Sequence, residues 1–200
     1  MESIPYYILI ITNNYHKNPH ISQNRNHAKT VECVVPCISK KQKCNDRKFS
    51  NDSLVSFCEN TDANAVLRYF AQQAKDNCID YFVKVKIPND IFVSDTDISV
   101  MFGNLIENAL ESCRNESGND RKILIRASLT GNSFCITVDN TFSGTLKYTN
   151  DDKFVSTKHK GLGLGTQSVK SIAANYNGVC RFETKDGMFY ASVMCNKTDS

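Results

Sequence analysis

Two pairs of neighbouring strand-like segments, each joined by a short glycine turn, constrain the fold of this chain more than any other feature. Residues 123–140 form one pair around Gly131, and residues 179–195 form the other around Gly187. Glycine turns between apolar, β-prone runs favour two-residue hairpins. Hairpin strands are antiparallel, so an all-parallel sheet is excluded.

Three segments carry the apolar spacing of amphipathic helices. They start near Thr61 or Asp62, near Asp95 or Thr96, and near Gly165, and a half-exposed strand is predicted at 81–87. Helices alternate with strand pairs in this order along the chain. We therefore predict an α+β fold: a two-layer α/β sandwich in which three helices cover one face of a mixed, mainly antiparallel sheet.

Composition separates the chain into two regions. Residues 1–50 are rich in Asn, Lys and His and become basic toward their end, so we expect a poorly ordered or linker segment; residues 51–200 are expected to form one folded domain. The net charge of +3 comes without a basic stripe between aromatics, which argues against nucleic acid as a partner. No membrane span and no signal peptide are expected, and this pattern favours a cytoplasmic location.

Nine cysteines are scattered through the chain. Cys113, Cys135 and Cys195 lie in apolar periodic segments, where buried free thiols of a reducing compartment are expected. The closer group of Cys33, Cys37 and Cys44 lacks paired spacing and an obvious fourth ligand, so no zinc site is predicted.

A first polar motif lies on the second predicted helix. Asn104, Asn108 and Glu111 are spaced i, i+4, i+7 and share one edge beside the apolar stripe. Asparagine is a middling helix former, and its side-chain oxygen is a hard ligand that suits Mg²⁺. The alternative is an ordinary solvated helix face.

A second motif ends the first hairpin. Ile136, Val138 and Asn140 share a strand face by period 2, so Asn140 terminates an apolar row where the strand opens into a loop. Such an amide can hydrogen-bond a flat apolar ligand such as adenine, and Gly144 lets the backbone pass close by. The alternative is an asparagine that ends the strand through local turn chemistry.

A third motif is the glycine-rich run 160–165 that opens the third helix. Alternating glycines and a helix start expose backbone N–H groups that can cradle phosphate; a flexible loop is the alternative. A P-loop would need a lysine before Thr166, and a Rossmann loop would follow a strand directly. The residues before the run, 151–160, are polar and are expected to be free of strands.

Taken in order, the three motifs resemble the GHKL (Bergerat-fold) ATP-binding domain of sensor histidine kinases. The similarity spans about residues 52–197, and residues 56–113 are especially like the kinases of accessory-gene-regulator-type quorum-sensing receptors. The resemblance implies ATP/ADP and Mg²⁺ as ligands. It also implies transfer of the γ-phosphoryl group to a histidine, as in two-component signalling.

The resemblance assigns the helix residues by position. Asn108 would be the Mg²⁺ ligand, and Asn104 would lie beside it at the phosphates. Asn104 and Glu107 would be the catalytic pair. Glu111 stands where many sensor kinases have a phosphate-binding lysine, which implies weaker phosphate contacts.

The resemblance also assigns the nucleotide contacts. Asn140 takes the place of the usual adenine-binding aspartate, because Phe142 and Gly144 fall where two glycines would follow it, and Asp139 is one residue out of register. Residues 145–160 would form a mobile ATP lid. The lid and the glycine-rich run would contribute Lys158, Lys160, Gly161, Leu162, Gly163, Leu164 and Gly165.

The phosphoacceptor is not expected within this chain. His16, His20 and His27 lie in an Asn-rich stretch without heptads and without an adjacent acid, unlike the acceptor of sensor kinases. The partner would then be a histidine-bearing dimerisation domain or a response-regulator pathway. Two other functions stay open: a non-catalytic nucleotide-binding regulatory module, and a serine kinase of the anti-sigma-factor type. Hydrolysis of the gyrase or Hsp90 kind is less expected, since those proteins carry a catalytic Glu where this chain has Asn104.

Overall fold

A computed structural model describes residues 33–35, 56–118, 120–144, 147–148, 154–155 and 164–198. The helices in these ranges are α1 (Thr61–Asp76), α2 (Asp95–Asn115) and α3 (Leu164–Asn175). The strands are β1 (Cys33–Val35), β2 (Asp80–Lys86), β3 (Lys122–Thr130), β4 (Ser133–Thr141), β5 (Lys147–Tyr148), β6 (Phe154–Val155), β7 (Val179–Lys185) and β8 (Met188–Asn196).

Six of these strands form one mixed sheet in the order β1-β2-β3-β4-β8-β7. Strands β2 and β3 are parallel, and the other neighbours are antiparallel. Both hairpins close with two-residue loops, in which Gly131 (φ 57°) and Gly187 (φ 74°) adopt positive φ. The mixed, mainly antiparallel sheet predicted from the sequence is confirmed.

The core lies between this sheet and the three helices. Alternate residues of each central strand point toward the helices, which present their apolar stripes to them. Fully buried members of this cluster are Leu67, Phe102, Ile106, Val169, Tyr81, Ile125 and Ile136. Burial of both layers in one core confirms the two-layer sandwich.

The N-terminal caps of α1 and α2 lie slightly ahead of the predicted positions. Asn60, rather than Thr61 or Asp62, caps α1, and its side-chain oxygen accepts the Ala63 N–H at 2.9 Å. Ser94 caps α2 in the same way, accepting the Asp97 N–H at 3.1 Å. In each case the last polar residue with extended backbone makes the cap.

Three short strands were not predicted. Cys33–Val35, within the segment expected to be a linker, pairs antiparallel with β2 as an edge strand. Lys147–Tyr148 and Phe154–Val155 pair with each other, so the expectation that 151–160 is free of strands is wrong for two residues. Runs of two or three residues are too short to show a period in sequence.

The thiols of the described core are free. Cys113, Cys135 and Cys195 are buried without disulfide partners, as the sequence indicated, and burial raises the pKa of Cys195 to about 12. Among the helices that the structure describes, none is both long and apolar enough to cross a membrane.

Candidate functional site

The site predicted from the sequence depends on how α3 lies against α2. The Tyr176 hydroxyl, just past the end of α3, donates to the Asp97 carboxylate in the first turn of α2 at 2.6 Å. The same hydroxyl accepts the Ser94 N–H at 3.1 Å. At the other end of α3, Gly165 lies against Asn104 in the middle of α2. The two helices therefore run antiparallel, and on this side α3 covers only the first half of α2.

Asn104 is held with its oxygen toward the start of α3. Its Nδ2 donates to the Val100 carbonyl, one turn earlier, at 2.9 Å. A Cβ built on Gly165 would lie 2.6 Å from Asn104 Oδ1, a distance that real Cβ contacts do not reach. A glycine is therefore required at 165 if Asn104 is to keep this position.

Beyond the start of α3, the same edge of α2 continues through Asn108, which is partly exposed. The opposite flank of the helix faces α1, where Arg114 donates to Asn77 at 3.1 Å and to Gln73 at 3.3 Å. Glu107, which the resemblance assigns to catalysis, is exposed on the surface of α2. The two asparagines thus lie on the flank of α2 that faces α3.

Asn140 closes the helix-facing row of β4 and is only 2% exposed. Its Nδ2 donates to the Thr141 carbonyl at 2.8 Å. Directly above, Cys113 Sγ in the last turns of α2 is 3.3 Å from Thr141 Oγ1. The end of β4 that carries Asn140 therefore lies beneath the C-terminal half of α2, beside the asparagine edge.

Asp139 lies on the opposite face of β4, away from the helices. It forms an ion pair with Arg126 of β3 at 2.7 Å, and the two side chains are 8% and 15% exposed. Burial raises the pKa of the Asp139 carboxyl, and the Arg126 guanidinium offsets only part of that rise. Asp139 is therefore paired with Arg126 on the face of the sheet opposite the helices, and Asn140 is the residue that points toward the helices.

The residues that follow β4 are held by hydrogen bonds to the turn between β7 and β8 and to the end of α2. The Phe142 N–H donates to the Gly187 carbonyl at 2.9 Å, and the Ser143 N–H donates to the Glu116 carboxylate at 2.7 Å. The Phe142 ring meets Phe189 edge-on with centroids 6.0 Å apart. It also covers Gly144 so closely that a Cβ there would lie 2.7 Å from the ring. Phe142 and Gly144 thus form the rim next to Asn140.

Some of the predicted site residues are not described by the structure. Leu164 begins α3, and only its backbone is described. Five further predicted residues lie outside the described ranges: Lys158, Lys160, Gly161, Leu162 and Gly163.

Three residues with a part in this arrangement were not singled out from the sequence. Glu116 fixes the chain after β4, and Tyr176 fixes α3 on α2. Glu116 is 27 residues from its partner Ser143, and Tyr176 is 79 residues from its partner Asp97. A single sequence gives no local signal for contacts between residues so far apart. Ser112, one turn beyond Asn108, has a buried hydroxyl without a hydrogen-bond partner, and its i, i+4 spacing from Asn108 is a signal by which the sequence could have found it.

The described part of the site offers a defined set of groups. Two amide side chains project along one helix edge, the backbone at the start of α3 lies opposite the first of them, and a buried amide lies at the end of β4. The N-terminus of a helix carries unpaired N–H groups and a partial positive charge that favour anions. This set suits a ligand with an anionic end near Gly165 and a flat polar end near Asn140.

Comparisons with known proteins identify the class. The family model described as a GHKL domain matches residues 93–196, just over half of the chain, so the protein belongs to the GHKL family. The matched stretch contains Asn104, Asn108, Asn140 and Gly165.

Solved structures show the same fold. The catalytic domain of histidine kinase ThkA superposes with a TM-score of 0.51 at 18% identity, over 70% of this chain and 93% of that one. A second nucleotide-free form of the ThkA catalytic domain superposes with a TM-score of 0.51 at 20% identity, over 69% of this chain and 93% of that one. No curated protein matches the chain. The chain is therefore a GHKL domain with the fold of a histidine kinase catalytic domain.

Proposed function

We propose that this domain binds Mg-ATP between the asparagine edge of α2 and the start of α3. The observation that carries the proposal is the approach of Asn104 Oδ1 to Gly165, which brings the polar edge of one helix to the N-terminus of another. Asn108, one turn further along, is the proposed Mg²⁺ ligand. Asn140 is the proposed adenine contact, because an amide oxygen can accept a hydrogen bond from the adenine amino group.

The donor set fits the proposed ligands. Mg²⁺ takes oxygen ligands and commonly shares phosphate oxygens with one or two protein groups. Bound Mg²⁺ would neutralise charge on the triphosphate. On the same helix, the buried hydroxyl of Ser112 has no hydrogen-bond partner, which is an unusual state for a buried polar atom.

We propose further that the bound nucleotide is a phosphoryl donor for a histidine on a separate dimerisation hairpin. Phosphoryl transfer depends mainly on positioning and charge stabilisation, so the chain needs to orient the triphosphate and exclude water rather than supply a nucleophile. Asn104 and Asn108 would orient the phosphates. The resemblance over residues 56–113 supports a place in the accessory-gene-regulator-type branch, and we therefore propose that the domain acts on the cytoplasmic side of a receptor system.

The transfer step is tested with a dimerisation hairpin from such a receptor, incubated with the purified chain and radiolabelled ATP. We expect label on the hairpin that is acid-labile and base-stable, as phosphohistidine is, and no label when the histidine is replaced by alanine. Acid-stable phosphoserine on a substrate protein would favour the serine-kinase alternative. Absence of label on every receptor hairpin would contradict the histidine assignment.

A non-catalytic regulatory module is the second candidate, and Phe142 favours it. A ring at the position where the family has glycine packs on Gly144 and Phe189, and so fills space at the rim of the site. This candidate predicts nucleotide affinity without transfer or hydrolysis. Phe142→Gly would then raise the nucleotide affinity without creating kinase activity.

Gly165→Ala tests the contact that carries the proposal. The new Cβ would lie 2.6 Å from Asn104 Oδ1, so the amide must move away from the start of α3. We expect Mg-ADP affinity to fall about 10-fold or more, the effect of misplacing one polar ligand contact. The measurement is calorimetric titration of the variant against the wild-type chain.

Gly103→Ala is the matched control for that variant. It makes the same glycine-to-alanine change in α2, at the residue that precedes Asn104, where a Cβ would meet nothing within 4 Å. Its affinity for Mg-ADP should equal that of the wild-type chain. Equal affinity in Gly165→Ala as well would show that the position of Asn104 is irrelevant to binding.

A further inference from the structure

Ser112 of α2 is a polar residue with an unexplained environment. Its Oγ is buried and has no hydrogen-bond partner; in the described part of the chain the only other such side-chain atom is Nε of Arg121. A serine in a helix commonly bonds the carbonyl four residues earlier, but Ser112 does not do so. A buried hydroxyl without a partner is costly, so its retention calls for an explanation, and a bound ligand is one that would supply the missing partner.

The position of Ser112 around the helix axis directs it to the proposed nucleotide site. At 100° per residue, Ser112 lies about 80° from Asn104 and about 160° from Arg114. Arg114 marks the flank against α1, and Asn104 marks the flank against α3. Ser112 is therefore on the site flank, between the asparagine edge and the core.

The position of Ser112 along the axis indicates which part of the ligand it meets. It lies about 12 Å from Asn104 and about 6 Å from Asn108, away from the start of α3. Its neighbour Cys113 contacts Thr141, which directly follows Asn140. Ser112 is thus at the Asn140 end of the site, and the phosphates are proposed to lie at the Gly165 end.

We propose that the Ser112 hydroxyl hydrogen-bonds the nucleoside half of the bound nucleotide and contributes to selection for it. This inference rests on the proposed nucleotide function and adds a contact that the three sequence motifs do not contain. In the ligand-free chain the hydroxyl stabilises nothing; in the complex it gains its partner. The role is therefore in binding and not in folding.

The test compares Ser112→Ala with the wild-type chain by calorimetric titration of Mg-ADP and by thermal melting without ligand. We expect Mg-ADP affinity to fall about 5- to 10-fold, the range for loss of one hydrogen bond. The melting temperature of the ligand-free variant should be unchanged or higher, because no hydrogen bond is lost and alanine favours the helix. Mg-pyrophosphate, which lacks the nucleoside, should bind both proteins equally.

Ser99→Ala is the matched control. Ser99 is on the same helix, about 140° from Ser112 around the axis, on the flank away from the site. Its Mg-ADP affinity should not change.

Titration of wild type and Ser112→Ala with 2′-deoxy-ADP identifies the nucleoside atom that Ser112 contacts. If Ser112→Ala loses affinity for ADP but not for 2′-deoxy-ADP, the hydrogen bond is to the ribose 2′-hydroxyl. If it loses affinity for both ligands equally, the hydrogen bond is to another atom of the nucleoside.

The possible failures can be distinguished. If wild type binds Mg-ADP and Ser112→Ala binds it equally well, the Ser112 inference is wrong and the proposed function stands. A lower melting temperature of the ligand-free variant, or an equal loss of Mg-pyrophosphate affinity, would also overturn the nucleoside contact. If wild type binds no Mg-ADP, the proposed function fails and the inference fails with it.

Discussion

Asn108→Ala is expected to abolish Mg-dependent nucleotide binding and leave the fold intact. We propose that the Asn108 oxygen is the protein ligand of the metal, so the variant would lack that ligand. We expect the Mg-ADP affinity to fall by more than about 100-fold, since even residues that only support metal ligands account for 10- to 100-fold. Asn108 is partly exposed and is not a member of the core, so the melting temperature of the ligand-free variant should stay close to that of wild type.

Calorimetric titration with Mg-ADP, together with circular dichroism of the ligand-free variant, measures both parts of this prediction. Asn175→Ala is the control, because it makes the same chemical change at an exposed position at the far end of α3. Mg-ADP affinity retained by Asn108→Ala would remove the metal assignment.

Arg126→Met is expected to have the largest effect on stability. It would leave the Asp139 carboxylate, which is 8% exposed, without its counter-charge. We expect the free energy of unfolding to fall by about 2–4 kcal/mol at neutral pH, at the lower side of the range for breaking a buried ion pair because Arg126 is partly exposed. Urea denaturation of the variant and wild type measures this difference.

The pH dependence of this loss has a definite sign. Burial raises the pKa of Asp139 above its ordinary value of 3.8 in the wild-type fold, and loss of Arg126 would raise it further. The folded variant therefore favours the protonated carboxyl, and its stability relative to wild type falls as the pH rises above the raised pKa that Asp139 has in the wild-type fold. We expect the deficit to shrink as the pH is lowered from about 8 toward about 5.

The double variant Arg126→Met/Asp139→Leu is the control for the ion pair. It removes both charges, so it should recover most of the stability, because apolar replacement of a buried ion pair is often neutral or stabilising. A pH-independent loss in Arg126→Met, or no recovery in the double variant, would indicate that Arg126 acts by packing and not by charge.

The sequence predicted the elements whose signals are local. The apolar period placed the three helices to within a residue or two, and Gly131 and Gly187 placed both hairpins. The helical spacing of Asn104 and Asn108 predicted a shared edge without any tertiary information. The strand period put Asn140 on the helix side of β4 and Asp139 on the other, as the register with β3 shows.

The remaining features depend on contacts between distant parts of the chain. The bond between Tyr176 and Asp97 fixes α3 on α2, and neither residue belongs to a local motif. The ion pair between Asp139 and Arg126 joins strands that only the register brings together. The caps at Asn60 and Ser94 were missed by a residue because several polar residues precede each apolar stripe, and only backbone geometry selects one of them.

We propose that a nucleotide occupies the space between the asparagine edge of α2 and the start of α3. Calorimetric titration of the wild-type chain with ADP, in the presence of Mg²⁺ and again in excess EDTA, tests it most directly. We predict saturable 1:1 binding with Mg²⁺ and strongly weakened binding with EDTA. No heat of binding at millimolar ADP in either condition, from a chain that circular dichroism shows to be folded, would contradict the account.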